Sequence, residues 1–273
     1  MGFQLGLIGA GIDGSRTPFM HEQEALAQGI NLSYKILNTD RIEASLEELI
    51  HWGRTLLFDG FNITHPFKQD VIALLDHVDE AAAKIGAVNT VKFDANGLAT
   101  GYNTDYSGYM AGLKSLEGAD LSTVVQIGAG GAGSAVAQAL VDSGVQDLRI
   151  LDLSPERAAS LAEQVSGSAI TPEELEGAIA QASGLVNCTP IGMDSHPGTP
   201  VDTGLLRPDM WVSDVIYFPL ETQLLRDAKA KGCATLDGSR MAVGQAVHAF
   251  EIFTGQSADP ERMLEAFRLA GQR

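Results

Sequence analysis

The hexapeptide GAGGAG at residues 128–133 constrains this chain more than any other feature. It follows the apolar, β-branched run VVQI directly and opens AGSAVAQALVDSG, whose apolar residues recur at helical spacing. A second short apolar run, LRILD, follows and ends on Asp152, about 20 residues beyond Gly133. Strand, glycine turn, helix and strand make a βαβ unit. Glycines there let the backbone approach a pyrophosphate, the helix N-terminus supplies N–H donors, and an acid at that spacing accepts hydrogen bonds from ribose hydroxyls. Gly128, Ala129, Gly130, Gly131, Ala132, Gly133, Asp152 and Leu153 therefore form a candidate dinucleotide site. A carboxylate at 152 repels a 2′-phosphate, and Leu153 and Ser154 offer no cationic clamp, so NAD is expected over NADP. Arg157 has two readings, a contact to adenine or phosphate and an ordinary exposed helix arginine.

The rest of the chain repeats this alternation, which predicts an α/β protein. Before residue 106 the strands are Phe3 to Ile8, Ser33 to Leu37 and Phe61 to Thr64. Helices are expected after Thr17, which could cap one with Pro18 at its first position, over SLEELIHWGRTL, and from HPFKQDVIALL. AVNTVKFDANGLATGYNTD reads as a hairpin with Asn96-Gly97 as its tight turn. Beyond Tyr106 the strands are VVQIG, LRILDL, GLVNCTP, WVSDVIY and ATLDG, with helices starting near Gly131, Pro155, Pro172 and Thr222. Two final helices, Ser239 to Gly255 and Asp259 to Ala270, are expected to fold back on the N-terminal part.

Composition narrows the partners. With 45% hydrophobic and 19% charged residues the chain can fill a core and is not disordered. A formal charge of −17 without a basic patch argues against nucleic acid and anionic membrane surfaces. The two cysteines lie in unrelated contexts, no apolar stretch is long enough for a membrane span, and no signal peptide precedes the first strand, so a reduced cytoplasmic home is expected. Histidines 21, 51, 65, 77, 196 and 248 form no metal-ligand spacing; no metal is expected, and most should be surface or capping residues.

A second glycine motif, GAGIDG at Gly9 to Gly14, fails the dinucleotide test. SRTP follows it, the helix starts too late for a pyrophosphate loop, and no strand ends in an acid at the right distance. It reads instead as a loop presenting the Ser15 and Thr17 hydroxyls to a polar ligand.

SRTP, NITHPFK at Asn62 to Lys68, GAVNT at Gly86 to Thr90, YNTD at Tyr102 to Asp105, GAGGAG, NCTP at Asn187 to Pro190 and DGSRMAVGQA at Asp237 to Ala246 occur together in this order. In this the chain resembles the shikimate dehydrogenase family across almost its whole length, most closely the branch that uses NAD and acts on quinate as well as shikimate. The resemblance implies a substrate-binding and catalytic domain of residues 1–105, with 239–273 packing back on it. It implies a Rossmann-type dinucleotide-binding domain of residues 106–238, and an active site in the cleft between the two.

By the same resemblance Lys68 and Asp105 are the catalytic pair at the hydroxyl being oxidised. Ser15 and Thr17 would meet the substrate carboxylate, and Thr64, Asn89 and Gln245 the ring hydroxyls. Tyr217 would be a further substrate contact. Asn187, Cys188 and Thr189 would border the cofactor, and Gly238 and Met241 face the nicotinamide. Two departures from biosynthetic members, Thr17 in place of a second serine and the absence of a basic cluster after the second Rossmann strand, resemble the quinate-using branch. The implied activity is hydride transfer at C3 of quinate or shikimate, in aromatic amino acid biosynthesis or quinate catabolism, by a monomer or homodimer. An NADP-dependent biosynthetic enzyme, an aminoshikimate-type paralogue and a non-catalytic ligand sensor are the alternatives.

Overall fold

The computed structural model describes residues 2–271. The chain divides into two compact units, one made of the residues up to Asp105 together with those from Val243 onward, the other of Tyr106–Ala242. In the first unit the chain runs β1 (Phe3–Gly9), α1 (Thr17–Ala27), β2 (Leu32–Asn38), α2 (Leu46–Thr55), β3 (Gly60–Ile63), β4 (His77–Val78), α3 (Glu80–Ile85), β5 (Thr90–Phe93) and β6 (Ala99–Tyr102). These strands form a mixed sheet in the order β2-β1-β3-β5-β6-β4. β1 pairs in parallel with β2 and β3, while β5 is antiparallel to both β3 and β6. Ile8, Leu49, Phe61, Ile63 and Val91 fill one side, where Phe61 meets Phe93 edge-on at 5.5 Å between ring centres. Ser45 starts α2 through a reciprocal capping box with Glu48.

α4 (Thr104–Leu113) leads into the second unit. There β7 (Thr123–Ile127), α5 (Gly131–Asp142), β8 (Asp147–Leu151), α6 (Pro155–Gln164), β9 (Ser168–Ala169), α7 (Leu175–Gln181), β10 (Gly184–Asn187), β11 (Trp211–Asp214), α8 (Gln223–Ala230) and β12 (Ala234–Leu236) alternate. The sheet is wholly parallel, in the order β12-β11-β10-β7-β8-β9. The chain moves outward from β7 to β9 and returns to β10 on the other side of β7, which is the order reversal of a doubly wound dinucleotide fold. β7 and β10 are buried along most of their length, as strands covered on both faces must be. The sequence pattern shows five of these strands; β9 is two exposed residues long and carries no apolar signal. α9 (Ser239–Thr254) begins in this unit and ends in the first, where α10 (Pro260–Ala270) also lies.

Three local expectations are corrected. Thr17 is not a cap: Arg16 occupies the N-cap without a side-chain bond, and the Ser15 hydroxyl accepts from the Thr17 N–H at 3.3 Å. HPFKQDVIALL is not an α-helix but a turn followed by a 3-10 segment, Asp70–Leu74. The carbonyls of His65 and Lys68 accept instead from Ala10 and Val88 N–H, at 2.9 and 2.7 Å, so the first helical turn loses its acceptors to neighbouring segments. The β5–β6 hairpin turns through residues 94–98 rather than tightly at Asn96-Gly97. The Asp94 carboxylate accepts from the Asn96 and Leu98 N–H groups at 2.8 Å, and Gly97 takes a φ of +79°, so side-chain bonding selects the longer loop.

His21 departs from the surface pattern of the other histidines. It is fully buried on α1 against Tyr34, Phe250 and Phe253, at 5.2 to 6.0 Å between ring centres. Neither ring nitrogen has a hydrogen-bond partner among the described residues. Burial without a partner disfavours the imidazolium and lowers the pKa to about 3. The unfolded chain binds the proton below the ordinary histidine pKa and the folded chain does not, so the contribution of His21 to stability falls as pH drops from about 6.5 toward 3, by roughly 5 kcal/mol in total. Urea midpoints measured across that range should show a flatter pH dependence for His21→Leu than for the parent chain.

Candidate active site

In the first unit the sequence-selected side chains gather at the C-terminal ends of β1, β3 and β6. Lys68 lies in the turn after β3 and Asp105 in the first turn of α4, where the helix N-terminus favours a carboxylate. Lys68 Nζ donates to Asp105 Oδ2 at 2.6 Å, and the two side chains keep only 16% and 9% of their exposure. Such a pair holds a proton at a defined point with little water to screen it.

Asn89 stands at the entrance to β5. Its Oδ1 accepts from the Thr104 N–H at 2.7 Å and lies 3.1 Å from the hydroxyls of both Thr104 and Thr90, while its Nδ2 makes no hydrogen bond among the described residues. The residue that positions Asp105 along the chain is thus bonded to Asn89. Thr64 donates its N–H to Ile8 at 2.9 Å, and its methyl group lies so close to Gly9 that a Cβ there would come within 2.3 Å. Gly9 is therefore required by packing. Ser15 and Thr17 sit half-buried at the end of the loop after β1. That loop is tied down by Gly11 N–H to Asp40 at 2.7 Å and by Asn38 to Asp13 at 3.0 Å. Gln245 is half-buried on α9 in the same unit.

The second unit holds the other candidates. Asp152 follows the last residue of β8, and its carboxylate accepts from the N–H groups of Ala129 and Ser154 at 2.7 and 2.8 Å. Arg157 is largely exposed, with a guanidinium nitrogen 3.4 Å from the same carboxylate, and Leu153 is 98% exposed. Gly128 adopts a φ of +104°, and a Cβ on it would lie 2.9 Å from the Cys188 carbonyl. A Cβ on Gly133 would lie 2.3 Å from the Gly128 oxygen, whereas one on Gly130 would meet nothing within 4 Å. The loop is closed on its inner side and open at Gly130. Gln126, which no sequence motif marks, donates from Nε2 to the carbonyls of Gly128 and Gly133 at 2.9 Å and so sets the loop's curvature from beneath.

Asn187 is buried with its amide engaged internally. It donates to Ile191 and Asp214 and accepts from Thr189, so it shapes the loop after β10. Burial raises the pKa of the Asp214 carboxyl, which accepts from Thr222, Asn187 and the Ile216 N–H. Burial also pushes the Cys188 thiol up, which suits a packed residue rather than a nucleophile. A Cβ on Gly238 would fall 2.3 Å from the Val215 carbonyl, so only glycine lets the chain pass there. Met241 belongs to the apolar core of this unit, and Tyr217 is partly exposed beyond β11. Among the described residues no three His, Cys, Asp or Glu side chains are grouped to hold a metal ion.

Family models match three stretches: the shikimate dehydrogenase substrate binding domain at residues 7–91, shikimate/quinate 5-dehydrogenase at 112–191, and the shikimate 5'-dehydrogenase C-terminal domain at 238–266. A quinate/shikimate dehydrogenase (NAD(+)) of Corynebacterium efficiens is 52% identical over 96% of each chain. This chain belongs to the shikimate dehydrogenase family. Another member, the quinate dehydrogenase of Corynebacterium glutamicum solved in complex with NAD, superposes with a TM-score of 0.94 at 49% identity, covering 98% of this chain and 99% of that one. A shikimate dehydrogenase (NADP(+)) of Pseudarthrobacter chlorophenolicus is 49% identical over 97% of this chain and 94% of its own. In all this the chain is a shikimate dehydrogenase family member of two α/β domains, the N-terminal one substrate-binding and the second Rossmann-like.

The glycine loop makes a prediction independent of any ligand. Gly133→Ala forces the new methyl group against backbone and should cost about 1–3 kcal/mol, while Gly130→Ala meets open space and should cost under about 1 kcal/mol. Urea denaturation of the two variants measures the contrast.

Proposed function

We propose that this chain oxidises the C3 hydroxyl of quinate and shikimate with NAD, yielding 3-dehydroquinate and 3-dehydroshikimate, and catalyses the reverse reductions. The observation that carries the reading is the shielded Lys68–Asp105 pair at 2.6 Å. Removing hydride from a secondary alcohol leaves a hydroxyl proton that must go somewhere, and the reverse reaction needs that proton back. NAD, when bound, supplies the hydride acceptor. Lys68 Nζ holds the proton at the substrate oxygen, and Asp105 orients the amine and balances its charge. Asn89, with its oxygen already bonded and its Nδ2 available, donates to a ring oxygen beside it. Ser15 and Thr17 meet the substrate carboxylate, Thr64 and Gln245 take the remaining hydroxyls, and Tyr217 makes a further contact.

The residues of the second domain fit a dinucleotide. The loop is open over Gly130, at the N-terminus of α5, where N–H groups and the helix dipole would face a pyrophosphate. Asp152 would accept from the adenosine ribose. Its carboxylate is already fixed by two backbone donors, so a 2′-phosphate would meet a negative charge that cannot turn away. Relatives with NAD in their names are among those most similar, and relatives with NADP follow at slightly lower identity. Arg157 at 3.4 Å from Asp152 would partly offset that repulsion. A cytoplasmic protein, monomeric or homodimeric, completes the proposal.

Purified protein with NAD and either ring acid should generate reduced-nicotinamide absorbance, and NAD should exceed NADP in kcat/KM by at least about tenfold. Absence of turnover with both acids would refute the reading. Lys68→Ala should lower kcat by about a thousandfold with an unchanged far-ultraviolet spectrum. Asp152→Ser should narrow the NAD/NADP ratio mainly by lowering the KM for NADP.

A further inference from the structure

A buried chain of polar side chains runs through the first unit toward the ion pair, and the reaction as described does not use it. Tyr34 donates its hydroxyl to Asn62 Oδ1 at 2.7 Å. Asn62 donates from Nδ2 to Thr90 Oγ1 at 3.1 Å, directly across the β3–β5 pairing. Thr90 Oγ1 reaches Asn89 Oδ1 at 3.1 Å and Thr104 Oγ1 at 3.2 Å. All five side chains are buried.

Valence sets the direction of each bond. Burial raises the Tyr34 phenol well above its ordinary pKa, so it remains a donor. Asn62 therefore turns its oxygen to Tyr34 and its nitrogen to Thr90. Having accepted that bond, Thr90 Oγ1 keeps one proton to give, and Asn89 Oδ1 can only accept. With its oxygen held by Thr90 and Thr104, Asn89 can offer a ligand nothing but its amide N–H groups.

We propose that Thr90, backed by Asn62 and Tyr34, is a positioning residue for the dehydrogenase reaction: together with the Thr104 N–H and hydroxyl it holds the Asn89 amide in the orientation that presents Nδ2 to a ring oxygen. The Thr104 bonds tie that amide to the N-terminal turn of α4, which carries Asp105, and the Thr90 bond holds it from the β5 side. Without the Thr90 hydroxyl, the amide keeps only the Thr104 bonds, so Nδ2 is aimed less firmly at the ring oxygen and its bond to alcohol or ketone weakens. The inference rests on the dehydrogenase reading above.

Thr90→Val keeps the shape of the side chain and deletes its hydroxyl. We expect kcat/KM for quinate or shikimate to fall about tenfold while the KM for NAD stays unchanged, and Thr90→Ser to stay within about threefold of the parent. In an Asn89→Ala background, Thr90→Val should bring no further loss, because the amide through which it acts is gone. Parental kcat/KM in folded Thr90→Val, or the same fold loss with and without Asn89, would overturn the proposal. Should Thr90→Val fail to fold, Tyr34→Phe takes its place, with a loss of about threefold expected that again disappears without Asn89 and full activity overturning the proposal. A parent enzyme that turns over neither ring acid would instead sink the dehydrogenase reading itself.

Discussion

A lysine and a carboxylate drawn largely out of water persist only when each is fixed against the other, because the lost hydration must be offset by close, well-aligned charge. The first domain is arranged around that requirement. Lys68 comes from the turn after β3 and Asp105 from the start of α4, with a 3-10 segment, β4, α3 and the β5–β6 hairpin between them. Their meeting depends on two carbonyls, of His65 and Lys68, that bond to neighbouring segments instead of continuing a helix. Had HPFKQDVIALL formed the helix its periodicity suggests, those two carbonyls would have been spent within it. The irregular backbone is thus what the site needs, held in place by the sheet around it.

The second domain meets a different constraint with different means. A chain of net charge −17 must attract a dinucleotide, itself an anion, without a basic surface. The devices are local. In the proposed site the glycine loop is open over Gly130, Gln126 curves it from below, and the helix that follows would add its dipole. The remaining acid serves mainly as a solvated surface, apart from Asp105, Asp152 and the buried Asp214 and Glu24. These four carboxylates are held by hydrogen bonds from neighbouring donors.

Legibility in the sequence followed the range of the forces involved. The second domain was readable strand by strand because buried parallel strands are written as apolar runs and the glycine loop has a fixed spacing to its acid; only the two-residue β9 was silent. The first domain was less transparent. Thr17 looked like a cap and is not, since Arg16 takes the N-cap position and Thr17 is the first helical residue, its N–H donating to the Ser15 hydroxyl. Nothing in the sequence set His21 apart from the other histidines, most of them expected at the surface or in caps, yet α1 turns it into an aromatic cage. Asn62 and Thr90 lie within NITHPFK and GAVNT, which do not announce the bond the two make across neighbouring strands, and Gln126 reaches the glycine loop just ahead of it through an amide that no motif marks.

What the sequence determined by itself was the alternation of elements and the glycine-to-acid spacing, together with the functional groups the chain carries. These are local matters of period, conformational freedom and functional group. Only the tertiary structure decided that Lys68 and Asp105 meet at 2.6 Å, that the Asn89 oxygen is bonded to Thr104, and that the His21 ring nitrogens have no partner among the described residues. Each depends on where a residue remote in sequence places a donor or acceptor, and hydrogen-bond reach of about 3 Å is too short for periodicity to encode.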